Sequence, residues 1–244
     1  MDTSGGESRP IEVYALGRFR IVLDGAPQRF TPKEPRKPLS LLKALLCAGT
    51  RGVSRDILQD ALWPQQDAWL ARRALNTTVY RLRQLLRHKD ALTLDDDRVS
   101  LDPQLCWVDA WMFEQAAVQA REPAVLLRAL RLYGGPFLGD TDHPLAFEVR
   151  DRLRRKFVQA VLRVGQSYES LGDLGAAIEV YQIALDADCT AEDVHQALMR
   201  CLLRQGKPAA VAAAYQRCRT ILRRYLATVP SPGTEQVYRD ACPT

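Results

Sequence analysis

The hydrophobic pattern of this 244-residue chain changes period once, near Pro103, and that change limits the folds open to it. Before Pro103, short runs of alternating apolar residues flank three segments whose apolar residues recur at helical spacing. From Val108 onward the pattern is almost wholly helical. The length suits one large or two ordinary domains, each able to bury its own core.

In the first part, "IEVYALGRFRIVLDGAPQRF" places Val13, Leu16, Phe19, Ile21 and Leu23 among polar residues, with Asp24-Gly25 as a hairpin signal. "PLSLLKALLCAG" reads as a helix with Pro38 in its first turn and Gly49 past its end. "SRDILQDALW" reads as a second helix, capped by Ser54 and carrying Ile57, Leu58, Ala61 and Leu62 on one face, with Trp63 as a structural residue at its end. A longer helix is expected from about Ala68 to Arg87. "ALTLDDDRVSLDP" then predicts two short strands around a turn at Asp95 to Asp97. Sheet, three helices and hairpin, in that order, describe a winged helix-turn-helix.

The second part predicts helices at "VDAWMFEQAAVQA", at "EPAVLLRALRLY" and along "AFEVRDRLRRKFVQAVLRVGQSYESLG", with Trp107 and Trp111 four apart on one helix and in the core. An internal repeat follows. "YESLGDLGAAIEVYQIAL" aligns with "LLRQGKPAAVAAAYQRCR" at an offset of 34, matching Gly172 with Gly206, Ala176 with Ala210 and Tyr181 with Tyr215. That period is the length of a tetratricopeptide repeat, in which a small residue permits close helix packing and the tyrosine fills the groove. The expected fold is mainly α with small β-sheets: a tail over 1–10, a winged helix-turn-helix over 11–104 and an all-α, tetratricopeptide-like domain over 105–244.

Charge narrows the function. Net charge is +5; residues 1–103 hold 17 basic and 13 acidic side chains, and residues 104–244 hold 17 and 16. Between Ala68 and Lys89 there are six cations (Arg72, Arg73, Arg81, Arg83, Arg87 and Lys89) and no acid. A purely structural helix would intersperse Glu to form i,i+4 pairs, so an acid-free one points to a polyanion. At about 100° per residue, Leu75, Val79, Leu82 and Leu86 form the buried stripe, with Thr78 and Leu85 beside it. Arg73, Thr77, Tyr80, Gln84 and Arg87 lie opposite, flanked by Asn76, Arg81 and Arg83. Arginine matches the guanine edge, Asn and Gln the adenine edge, and Thr or Tyr serves bases or phosphates. Arg98 in the hairpin is a further candidate phosphate contact, although Asp95, Asp96 and Asp97 at its tip repel DNA within a Debye length of roughly 10 Å.

Other chemistries find little support. Cys47, Cys106, Cys189, Cys201, Cys218 and Cys242 form no C-x-x-C pair and read as reduced, buried thiols. Asp140, Asp142 and His143 in "GDTDHP" read as a turn and helix cap rather than metal ligands. His88 and His195 stand alone, and no nucleophile-base set is visible. Neither an enzyme nor a cofactor or metal site is expected. No apolar run approaches the roughly 18 residues that span a bilayer, and "MDTSGGESRP" lacks the features of a secretory signal, so a cytoplasmic protein is expected.

Taken in order, "LGRFRIVLDG", "SRDILQDALW", "ALNTTVYRLRQLL", "VDAWMFE" and "LYGGPFLGD" resemble the bacterial transcriptional activators typified by the Streptomyces antibiotic regulatory proteins. The resemblance covers about Ile11 to Tyr238, with "DALW" and V-Y-R-L-R as its most specific pieces. It implies a response-regulator-type winged helix joined to a bacterial transcriptional activator domain, binding to repeated promoter sites on double-stranded DNA, and recruitment of RNA polymerase. It assigns recognition to Arg73, Asn76, Thr77, Tyr80 and Arg81, with Arg83 nearer the phosphates. Gln84 joins the base-reading face, and Arg72, Arg87, Lys89 and Arg98 the phosphate contacts. The wing lacks the Gly-Tyr pair common in the family. No P-loop accompanies Gly206-Lys207, which Pro208 follows. A homodimer suits repeated sites. The rival expectation is a protein-interaction module whose winged helix is a docking surface.

Overall fold

The computed structural model describes residues 9–29, 36–95, 97–139, 143 and 145–242. It contains seven strands and ten α-helices among these, and the chain divides into two compact units. The first gathers the residues up to Met112 with Phe137–Arg152; the second comprises Phe113–Pro136 and the chain from Leu153 on.

The first unit opens with β1 (Ile11–Tyr14), β2 (Arg20–Leu23) and the two-residue β3 (Ala26–Pro27). β1 and β2 pair antiparallel, Ile11 opposite Leu23, and the alternation Ile11, Val13, Ile21 and Leu23 is buried, as the period predicts. Asp24 and Gly25, with φ of 48° and 77°, make the turn between β2 and β3, since two consecutive left-handed residues match the twist of a tight hairpin. Three helices follow: α1 (Arg36–Ala48), α2 (Arg55–Leu62) and α3 (Ala68–Leu86). Ser54 caps α2, its side chain accepting from the Ile57 amide, and Trp63 is buried at its C-terminus. The hairpin of β5 (Leu92–Leu94) and β6 (Arg98–Leu101) completes a winged helix-turn-helix. Asp96, in its expected tip, lies outside the described residues, as do Met1 to Ser8 of the expected tail.

Two strands escape the period analysis. β4 (Val53–Ser54) pairs with β6 and makes the wing three-stranded. It comes close enough because of Gly52, at φ 68°, where a Cβ would sit 2.7 Å from the Val99 carbonyl oxygen. β7 (Cys106–Val108) runs parallel to β1, Ile11 opposite Cys106. This corrects the expectation for the tryptophans: Trp107 lies on β7, tilted against Tyr14 at 5.2 Å, and only Trp111 is helical, in α4 (Asp109–Gln119). Both are half-buried rather than fully enclosed. Pairing with β1 overrides the helical spacing there, because a three-residue apolar run carries no period of its own.

Where β1 ends and α4 begins, Asp109 is buried with its carboxylate accepting from the amides of Ala15 (2.8 Å), Leu16 (3.0 Å) and Ala110 (2.7 Å). Leu138 then donates its amide to the Ala15 carbonyl at 2.7 Å, and the Arg150 guanidinium holds the carbonyls of Phe137 and Leu138 at 2.9 Å each.

In the second unit α5 (Pro123–Leu130) and the long α6 (Ala146–Ser170), from Leu153, frame an aromatic cluster in which Tyr133 stacks on Phe157 at 4.0 Å and Phe113 is tilted against Tyr133 at 5.4 Å. The repeat follows as α7 (Leu174–Ala187), α8 (Glu192–Arg204), α9 (Pro208–Leu226) and α10 (Pro232–Ala241). Tyr181 and Tyr215, the matched tyrosines, are buried and each donates its hydroxyl to a glutamate, Glu169 and Glu235 respectively. The small residues lining the helix contacts are Ala177 and Val211, fully buried, while Ala176 and Ala210 beside them are half-buried. Glu169 also takes Arg204 at 2.6 Å, so one carboxylate ties α6 to α7 and α8. Gly165 makes this possible: a Cβ there would lie 2.2 Å from the Tyr181 ring.

Burial pushes the Asp109 carboxyl up from 3.8 to about 6, against the pull of its three amide donors. The folded state therefore binds more protons here than the unfolded one between those values, and the stability this group confers falls as pH rises through that window. Asp109→Ala is expected to cost about 2–4 kcal/mol by stranding buried amides. Denaturant titrations from pH 4 to 7 should show that cost, together with loss of this downward component. In the second unit, Gly165→Ala should cost about 1–3 kcal/mol by overpacking against Tyr181. Tyr181→Phe, which removes only a hydroxyl, should cost about 1 kcal/mol, and denaturant titrations at a single pH check both values.

Candidate nucleic-acid interface

The helix α3 is amphipathic in a way that separates packing from chemistry. Ala71, Leu75, Thr78, Val79, Leu82 and Leu86 are its buried residues, and α3 packs on α1 and α2 through them. This inner face matches the expected stripe, with Ala71 added and Leu85 half-buried at its edge. Thr78 is tolerated inside because its hydroxyl donates to the Ala74 carbonyl at 2.8 Å.

The outer face presents the expected heads. Arg72, Arg73, Asn76, Thr77, Tyr80, Arg81 and Gln84 are all exposed, Tyr80 to 63%. Thr77 donates to the Arg73 carbonyl at 3.1 Å, which fixes its rotamer, and Arg73 leans over the Trp69 ring at 5.7 Å. Arg87 ends the helix in the left-handed conformation, φ 58°, and Lys89 follows, exposed. Arg72, Arg81, Arg87 and Lys89 enter no ion pair among the described residues.

Two of the expected cations are differently placed. Arg83 is half-buried and donates from Nη2 to the Leu92 carbonyl at 2.8 Å, binding α3 to β5. Arg98 donates from Nε to the Arg51 carbonyl at 3.1 Å and from Nη2 to that of Gly52 at 2.8 Å, binding β6 to the turn before β4. Each guanidinium donates to backbone carbonyls at the wing. Asp95 and Asp97 are exposed beside Arg98.

The outer face also carries groups that the sequence reading left aside. Trp69 is 67% exposed and Leu70 46%. With Lys37, Trp63, Gln66 and the α3 residues Arg73, Thr77 and Arg81, Leu70 lines an open cleft of about 470 Å³. Lys37 crosses its floor, donating to the Leu62 carbonyl and lying 5.3 Å over the Trp63 ring. The signal was available: Trp69 stands four residues before Arg73 and seven before Asn76, on the polar side of the helix.

The remaining candidates have structural partners. His143 is buried and its Nδ1 accepts from the Leu145 amide at 3.4 Å, a cap at the approach to α6; burial pulls its pKa below the usual value. Asp140 and Asp142 lie outside the described residues. His88 faces Asp24 at 3.7 Å, and buried His195 approaches the Cys189 carbonyl at 2.9 Å. The six cysteines are free; burial raises the thiols of Cys47, Cys106, Cys201 and Cys218 to about 12 each, out of reach of thiolate chemistry. Among the described residues no group of three His, Cys, Asp or Glu could hold a metal ion, and no helix is long and apolar enough to cross a membrane. In the second unit an apolar cleft of about 210 Å³ is floored by Tyr133 and Phe157 and edged by Arg131 and Glu179.

Comparison with known proteins bears on both units. The regulatory protein AfsR of Streptomyces coelicolor is 26% identical over 249 residues, an alignment that takes in 95% of this chain and 24% of AfsR. The solved structure of Mycobacterium tuberculosis EmbR in complex with a low-affinity phosphopeptide superposes with a TM-score of 0.66 at 23% identity, over 96% of this chain and 65% of EmbR, and so shares its fold. The chain thus spans about a quarter of the length of AfsR and just under two thirds of EmbR. The pattern of the bacterial transcriptional activator domain matches residues 108–240, more than half of the chain. On that match the chain, which joins this domain to a winged helix-turn-helix, belongs to the bacterial transcriptional activator domain family.

Proposed function

We propose that the chain is a sequence-specific DNA-binding transcriptional regulator, an activator that places α3 in the major groove of repeated promoter sites and recruits RNA polymerase. One observation carries this reading. A helix of 19 residues with no acid buries one face and exposes on the other a set of arginine, amide, hydroxyl and phenol groups. That set suits base edges, and its cations suit phosphates.

In this reading Arg73, Asn76, Thr77, Tyr80, Arg81 and Gln84 contact bases, and Arg72, Arg87 and Lys89 contact phosphates. Arg83 and Arg98 act through the wing they hold together, leaving phosphate to the unengaged cations. Base reading resides in residues 11–104, and residues 105–244 contact polymerase and support a homodimer on direct repeats. The protein acts in the cytoplasm, without cofactor and without catalysis.

A second reading draws support from exposed Trp69 and Leu70, which give the start of α3 the aromatic-plus-arginine character of protein-binding hot spots. There the winged helix docks a protein, and DNA binding is absent.

Binding of genomic fragments to the purified chain at two salt concentrations separates the two. The activator reading expects enriched direct repeats about one helical turn apart and affinity that falls steeply with salt. Recovery of no sequence above background at either salt overturns it. Within the enriched site, Arg81→Ala should cost about 1–3 kcal/mol and relax base preference at one position. Lys89→Ala should weaken all sequences alike and reduce the salt slope by about 1.

A further inference from the structure

The composition that singles out α3 occurs a second time. From Val194 to Thr234, 41 residues contain seven cations (six Arg and Lys207) and no acid, although the second half of the chain is nearly neutral as a whole. The centre of this stretch is α9, which like α3 has 19 residues, four arginines and no acid. Val211, Tyr215, Cys218 and Leu222 form its buried side.

Opposite them, Arg217 and Arg224 stand seven residues apart on one flank, and Arg219 and Arg223 four apart on the other; all four are exposed. Gln216 and Thr220 lie between the flanks, exposed and polar, and Thr220 is fixed by donating to the Gln216 carbonyl at 2.8 Å. Arg217 makes a long, open ion pair with Asp186 at 3.7 Å, and Arg224 leans over Tyr225 at 5.4 Å; no acid closes on Arg219 or Arg223 among the described residues.

We infer that this face of α9 is a second DNA contact, binding the phosphate backbone of duplex flanking the site read by α3. The inference rests on the DNA-binding reading proposed above. Once α3 holds a duplex, any cationic face on the same chain that can reach it meets phosphate at an effective concentration far above that of free DNA. The chemistry of the face favours phosphate over protein. A protein interface needs a desolvated apolar centre, whereas between the arginine flanks there is nothing larger and less polar than alanine. The exposed apolar residues Tyr225 and Leu226 lie outside the two flanks, Tyr225 beyond Arg224 and Leu226 beside Arg219 at the C-terminal end of the helix. Such a contact adds affinity and salt dependence without base preference.

The test uses the full chain, a duplex bearing the enriched site with long flanks, the same site with flanks trimmed, and an unrelated duplex. The variant Arg217→Ala/Arg219→Ala/Arg223→Ala/Arg224→Ala keeps helix propensity, and an unchanged thermal melt establishes that it folds. The expected result is a loss of tenfold or more on the long duplex, a salt slope shallower by about 2 to 4, little change on the trimmed one, and the same base preference as the unmodified chain. Replacing the four arginines by lysine should restore the binding. Unchanged affinity and slope on the long duplex overturn the inference. So does tighter binding of poly-glutamate than of duplex DNA at equal salt, lost in the alanine variant, which assigns the face to an acidic protein. Arg81→Ala in parallel keeps the two proposals apart: intact site selection in that variant defeats the α3 reading, while the α9 contact is still read from the unrelated duplex.

Discussion

A single buried carboxylate holds the first unit together. Asp109 takes the amides that β1 leaves unpaired at its end, Ala15 and Leu16, and at the same time the first amide of α4. It can do so only because β7 runs parallel to β1 and delivers Asp109 to that spot. An ionised group in so apolar a place costs free energy, which its raised pKa records; three short hydrogen bonds offset much of it. Strand pairing, helix start and the return of the chain at Leu138 onto Ala15 all meet at this point. The sheet it organises comprises β1, β2, β3 and β7, so the ends of the winged helix are closed by pairing rather than left to fray.

The helix α3 owes its outer face to what it lacks. With no acid along its length, none of its arginines finds the i,i+4 partner that would neutralise it, and their charge stays available. Packing fills the other side with Ala71, Leu75, Val79, Leu82 and Leu86, so the orientation of the polar heads is set by core contacts they take no part in. Where the helix needs anchoring to the wing, Arg83 is diverted inward. The α9 helix in the second unit repeats the division, with Tyr215 and Cys218 inside and arginines outside.

Long elements with a clear period were legible in the residues. The buried stripe of α3, the Ser54 cap and the tyrosines 34 apart all follow from spacing that survives folding. What escaped was short or depended on distant backbone. Neither Val53–Ser54 nor Cys106–Val108 has the length to show a period, and each is a strand because a partner strand was already there. Arg83 and Arg98 had the same look as Arg81 in the sequence; only the nearness of the Leu92, Arg51 and Gly52 carbonyls distinguishes them. The outer face was legible as a set of side chains, but its cleft, with Lys37 and Trp63 as floor, required three elements to converge. Likewise the paired arginines of α9 are diluted in the near-neutral sum over residues 104–244.

The tethering of the wing has a mechanical meaning. Arg83 fastens α3 to β5, while Arg98 fastens β6 to the turn that leads into β4, so α3 and wing are coupled at both strands of the hairpin. Such ties oppose opening or tilting of the wing against α3. On the DNA-binding reading, the adjustment falls to the nucleic acid, whose groove width and bending stiffness vary with sequence. Base steps that touch no side chain then enter the selection through the work of deforming them, and loosening either arginine would be expected to broaden the range of duplexes accepted before it weakened the hold on any one of them.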